Sequence, residues 1–124
     1  ADIHERITRT ATQIAASAGA SADVEINIGY PVTRNDSALT ERMMPTLRRA
    51  VGPGLAESPR VTGAEDFSYF AEEVPGMFFF LGVAPDNPEL VFPNHSPNFF
   101  ADERALPIGV QTMTALALDF LNGE

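Results

Sequence analysis

Met77-Phe78-Phe79-Phe80-Leu81-Gly82-Val83 carries no polar side chain. A run of that length suits one strand, and apolar residues on consecutive positions predict a strand covered on both faces, as in a sheet flanked by helices. Upstream, Val24-Glu25-Ile26-Asn27-Ile28 alternates apolar with polar and predicts a half-buried strand, ended by Gly29-Tyr30-Pro31. Downstream, the stretch from Ala84 to Asp102 contains Pro85, Pro88, Pro93 and Pro97 and predicts a long irregular loop. Compact domains keep loops of that length mainly for function.

Helices fill the spaces between. Ile3, Ile7, Ala11, Ile14, Ala15 and Ala18 recur at three- and four-residue steps and predict a helix over 3–18, stopped by Gly19. A second helix starts at Asp36 or Ser37, either of which can cap backbone amides, and carries the stripe Leu39, Met43, Leu47, Ala50 and Val51. Pro45 lies inside that stripe and predicts a kink or an early end. A short helix over 65–73 follows Thr62-Gly63-Ala64. The last runs from about Pro107 to Leu121, with Met113, Leu116, Ala117, Phe120 and Leu121 as its core stripe. Two strands do not make a stable sheet in water. The chain therefore reads as an incomplete α/β unit, unless further strands lie around 58–62 or 90–92.

Composition narrows the function. Seventeen acidic residues against eight basic ones give a net charge of −9 over 124 residues. That balance repels nucleic acid and anionic membranes, so neither is an expected partner. There is no cysteine, hence no disulfide, no zinc finger and no thiol nucleophile. No apolar run reaches the ~20 residues of a membrane helix. Ala1-Asp2-Ile3-His4-Glu5-Arg6 does not resemble a signal peptide, so a cytoplasmic location is expected.

Few residues are equipped for chemistry. His4 lies among charged neighbours on the first helix and reads as a solvated side chain. His95 stands in the long loop, within Pro93-Asn94-His95-Ser96-Pro97, where two prolines stiffen the backbone on either side. An imidazole so held is a natural ligand for Zn²⁺, Mn²⁺ or Ni²⁺, or an acid–base group; on residue chemistry alone the stronger reading is a loop histidine held by backbone hydrogen bonds. In Thr62-Gly63-Ala64-Glu65-Asp66, glycine allows close approach of a ligand and the helix start attracts anions. Against this, Glu65 and Asp66 are ordinary first-turn acids that favour the helix dipole, and on a helix they point about 100° apart. On residue chemistry alone the structural reading of these two acids is the stronger. The many phenylalanines read as core and interface.

Four strings occur in order and at characteristic spacing: Gly63-Ala64-Glu65-Asp66-Phe67, Pro75-Gly76-Met77-Phe78-Phe79-Phe80-Leu81-Gly82, Asn94-His95-Ser96-Pro97 and Ala105-Leu106-Pro107-Ile108-Gly109. Together they resemble the C-terminal end of the M20 peptidase family, in particular its branch of hippurate hydrolases, N-acyl-amino-acid deacylases and auxin-conjugate hydrolases. The resemblance covers essentially the whole chain. It implies an α/β fold in two parts: residues 1–33 as the last helix and strand of an α+β lid that dimerises, and 34–124 as the C-terminal part of a mixed-sheet catalytic domain. It also implies a binuclear divalent-metal centre (Zn, Mn, Ni or Co) that polarises the amide carbonyl of an N-acyl amino acid or small peptide and lowers the pKa of a water. On that resemblance His95 is the last metal ligand, and Thr62, Gly63, Glu65 and Asp66 lie beside the substrate. No catalytic base falls within the chain, so it is expected to be inactive by itself. The competing expectation is a non-enzymatic, oligomerising module in which His95 is a relic.

Overall fold

The computed structural model describes residues 2–123. Four α-helices follow one another: α1 (Asp2–Ser17), α2 (Ser37–Val51), α3 (Phe67–Glu73) and α4 (Ala105–Asn122), with single 3-10 turns at Gly52–Gly54 and Pro88–Leu90. All four lie within a residue or two of the expected helices. Gly19, at φ 71°, ends α1 in a Schellman arrangement: the amide of Ala20 donates to the carbonyl of Ala15 (2.9 Å), and that of Gly19 to Ala16 (3.0 Å). Asp36 caps α2 by accepting the Leu39 amide at 2.8 Å. Pro45 does not shorten α2, which runs on to Val51. Pro45 and Glu41, whose carbonyl loses its donor, are both exposed, so water can satisfy the freed group.

α2 and α4 are the helices that pack on each other. Met43 and Leu47 of α2 meet Leu116 of α4, with Leu39, Met44, Met77 and Phe79 packed around them. Asp119 of α4 accepts a hydrogen bond from Thr46 Oγ1 (2.5 Å) and pairs with Arg49, while Arg42 donates to the Phe120 carbonyl (3.0 Å) and lies over its ring. The core stripe of α4 differs from the expected one. Ala105, Thr112 and Leu116 are buried, whereas Met113 and Leu121 are 59% and 79% exposed. α4 is apolar nearly all round, so periodicity could not choose its inner face.

Neither expected strand forms, nor do the alternatives at 58–62 and 90–92: no strand is present among the described residues. A strand exists only through a ladder partner, and none of these segments supplies one to another. The side-chain pattern of a strand is nevertheless kept. Met77 and Phe79 face the α2–α4 core, whereas Phe78 stacks against Phe67 of α3 (5.4 Å) and against Phe80 (5.2 Å). The run thus lies between the helix pair and α3. Likewise Val24 and Ile26 are half-buried while Asp23, Glu25 and Asn27 are exposed, although the alternation stops at Ile28, which is exposed.

Candidate functional site

The loop between residue 83 and α4 is a series of local turns. Asn87 accepts the Glu89 amide (3.1 Å) and opens the Pro88–Leu90 turn. Next, the Ser96 amide donates to the Pro93 carbonyl (2.8 Å), closing a β-turn with Asn94 and His95 at its centre. A second turn follows at once: the Phe99 amide donates to the Ser96 carbonyl (3.0 Å) and the Asn98 amide to Ser96 Oγ (3.1 Å), with Pro97 in the position that its fixed φ favours. His95 therefore projects from the corner of a doubly turned, proline-stiffened segment. Its side chain is exposed.

The loop is tied off at a neck. The Asp102 amide donates to the Val83 carbonyl at 2.9 Å. Asp102, whose side chain is 17% exposed, accepts from the Arg104 amide and from Arg104 Nε, each at 2.9 Å, and Arg104 reaches Asp86 across the neck at 2.9 Å. The side-chain and backbone hydrogen bonds from Arg104 hold the Asp102 carboxyl at about 2, below its ordinary 3.8, and the two carboxylates raise the Arg104 guanidinium in turn. This cluster escaped the sequence reading, because Asp86 and Arg104 meet only once the loop has folded back.

The other candidate segment opens α3. Glu65 is half-buried; its carboxylate accepts the Phe67 amide (3.4 Å) and its carbonyl accepts Ser68 Oγ (2.6 Å). This is the helix-start role that residue chemistry favoured. Asp66 precedes the helix with an exposed side chain that makes no capping bond. Thr62 and Gly63 are exposed, and a Cβ added at Gly63 would meet nothing within 4 Å, so no neighbour in this chain requires glycine there. No hydrogen bond or ion pair joins His95 to Thr62, Gly63, Glu65 or Asp66, and no group of three or more His, Asp or Glu side chains converges among the described residues. A divalent ion is normally held by three protein ligands or more. An exposed imidazole at a rigid turn fits as one donor of such a set, and the described residues supply no complete one.

Comparison with known proteins bears on this arrangement. Residues 3–119 match the model of peptidase family M20/M25/M40, so the chain belongs to that family. Over 115 residues it is 36% identical to thermostable carboxypeptidase 2 of Saccharolobus solfataricus, covering 92% of this chain and 29% of that protein. It is 32% identical over 120 residues to N-acetyldiaminopimelate deacetylase of Streptococcus suis, covering 96% of this chain and 30% of the relative. IAA-amino acid hydrolase ILR1-like 6 of Arabidopsis thaliana is 33% identical over 99 residues, 79% of this chain and 21% of its own. The chain thus spans less than a third of the length of these relatives. No solved structure matches it. Among the described residues no helix is long and apolar enough to cross a membrane.

Proposed function

We propose that this chain is the C-terminal part of a metal-dependent amidohydrolase that cleaves the amide bond of N-acyl amino acids or small peptides. The observation that carries the reading is His95, held at the corner of a hydrogen-bonded turn in a chain of the M20 family. The names of the relatives, a carboxypeptidase, a deacetylase and an amino-acid-conjugate hydrolase, support amide cleavage as the shared reaction.

In this reading residues 34–124 are the end of an α/β catalytic domain, and the run at 77–83 becomes a strand once neighbouring strands supply its ladder. Residues 1–33 are the end of the lid, through which the enzyme forms a homodimer in the cytoplasm. The exposed side chains of Ile3, Ile7 and Ile14 on α1 support an interface there. His95, oriented by its two turns, would hold one of two divalent ions (Zn, Mn, Ni or Co). A bound ion supplies polarisation of the substrate carbonyl and a water of lowered pKa. Thr62 and Gly63 line the substrate, with backbone open enough for close approach. Glu65 fixes the start of α3 beside it, and the exposed Asp66 side chain stands free to face the substrate.

The test is hydrolysis of an N-acetyl amino acid by the longer polypeptide carrying this sequence, with and without a chelator. His95→Ala should cost more than about 100-fold in kcat/KM, beyond the roughly 10–100-fold lost with a residue that only orients a ligand, and the 124-residue chain alone should be inactive. Activity of the longer protein that persists undiminished in the chelator, or in His95→Ala, refutes the reading. The apolar face of α1 also suits a second reading, an oligomerising module without activity. That reading gains if the longer protein dimerises through α1 yet hydrolyses nothing.

A further inference from the structure

We propose that Arg104 is a positioning residue for His95, gripping both ends of the loop that carries it. The inference rests on the reading of His95 as a metal ligand. Between residues 84 and 101 every backbone hydrogen bond is local, closing a turn of three or four residues. Such turns stiffen the loop internally and leave its direction free. The polar ties between this loop and the rest of the chain lie at the neck: the Asp102 amide on the Val83 carbonyl (2.9 Å), and Arg104 joining Asp86, on the outgoing limb, to Asp102, on the returning one. A hinge at the neck would carry His95 with it, since His95 sits between the two limbs in a segment stiffened by its own turns.

The chemistry of the grip favours arginine. Its planar fork offers donors in several directions at once, and here Nε serves both oxygens of Asp102 at 2.9 Å while Nη2 is shared between Asp102 Oδ2 and Asp86 Oδ2. Lysine would concentrate the charge at one point and could hold one carboxylate well but not both. Arg104 is also anchored on rigid structure, since it directly precedes α4, whose Leu116 lies in the core. The loop is thereby referred to the α2–α4 pair. Asp86 is exposed, so its leg of the grip is the one that salt weakens.

The experiment uses the longer polypeptide and three variants, Arg104→Ala, Arg104→Lys and His95→Ala. Its readouts are amide exchange at residues 94–99, Zn²⁺ affinity by competition with a chromogenic chelator, and kcat and KM for an N-acetyl amino acid. Arg104→Ala should speed exchange at 94–99 while leaving α2 and α4 protected, and should weaken Zn²⁺ about tenfold, the lower end of effects from residues that orient a ligand. Its kcat should fall with KM unchanged, and Arg104→Lys should recover part of both losses. The inference is overturned if Arg104→Ala leaves exchange at 94–99 and Zn²⁺ affinity at wild-type values, or if protection falls throughout the chain. If His95→Ala itself binds Zn²⁺ as the wild type does, the reading of His95 has failed and the role of Arg104 toward it goes too. Zn²⁺ weakened by His95→Ala but untouched by Arg104→Ala overturns the role of Arg104 alone.

Discussion

Asn35 does with its side chain what a neighbouring strand would do with its backbone. Its carboxamide donates to the Phe78 carbonyl (2.9 Å) and accepts the Phe78 amide (2.8 Å), while the Asp36 amide donates to the Gly76 carbonyl (2.9 Å). One residue thus satisfies both backbone polar groups of Phe78 and fixes the position of the aromatic run against the start of α2. Two residues earlier, Gly76 is required by contact: a Cβ there would stand 2.9 Å from Cζ of Phe67, whose ring stacks on Phe78. Gly76→Ala should therefore destabilise the chain by roughly 1–3 kcal/mol, the usual effect of overpacking, as read by denaturant unfolding. An unchanged midpoint would mean that the Phe67 ring moves aside freely. The sequence displayed Gly76 and Asn35 plainly, but neither of these roles, since both depend on a partner far along the chain.

At the scale of elements, the loop neck and the α2–α4 seam are each locked by a carboxylate. Asp102 is held at about 2, and Asp119 is lowered chiefly by the hydrogen bond from Thr46 and further by Arg49. A carboxyl that binds its proton less tightly when folded leaves the unfolded chain taking up more protons as the pH falls. The stabilisation is complete above about pH 4, the range of free carboxyls, and is lost as pH falls through the folded values. Unfolding midpoints should accordingly drop on acidification from pH 4 to pH 2, and Asp102→Asn should flatten part of that slope. A midpoint independent of pH across this window would refute the assignment. Helix positions were legible because caps and period act locally: Asp36, Gly19 and the stripe of α2 read correctly. The inner face of α4 was not, because a helix apolar on every side offers no contrast to read.

The whole molecule exposes 10,097 Å². A compact monomer of 13.4 kDa exposes about 6,500 Å². Part of the excess is apolar, since Ile3, Ile7 and Ile14 of α1 and Leu106, Val110, Met113 and Leu121 of α4 face outward. Exposed apolar area of this kind favours association. By itself the 124-residue chain should bind a hydrophobic dye and melt over a broad range, with lasting amide protection confined to α2 and α4. A sharp two-state transition with an enthalpy on the order of 80 kcal/mol, and no dye binding, would show instead that the chain is a self-sufficient domain.

Sequence alone determined the helices, the proline-stiffened loop with His95 in it, and membership of the family, because turn chemistry, capping and motif spacing are written within a few residues. It also marked 24–28 and 77–83 as strand-like, a pattern the side chains keep at 24–27 and 77–80 but not at the exposed Ile28. Only the tertiary structure decided that those segments find no ladder partner in this chain, that α4 presents Ala105, Thr112 and Leu116 inward, and that Arg104 joins Asp86 to Asp102. Each of these depends on groups distant in sequence meeting in space, and a local pattern carries no information about which distant group it will meet.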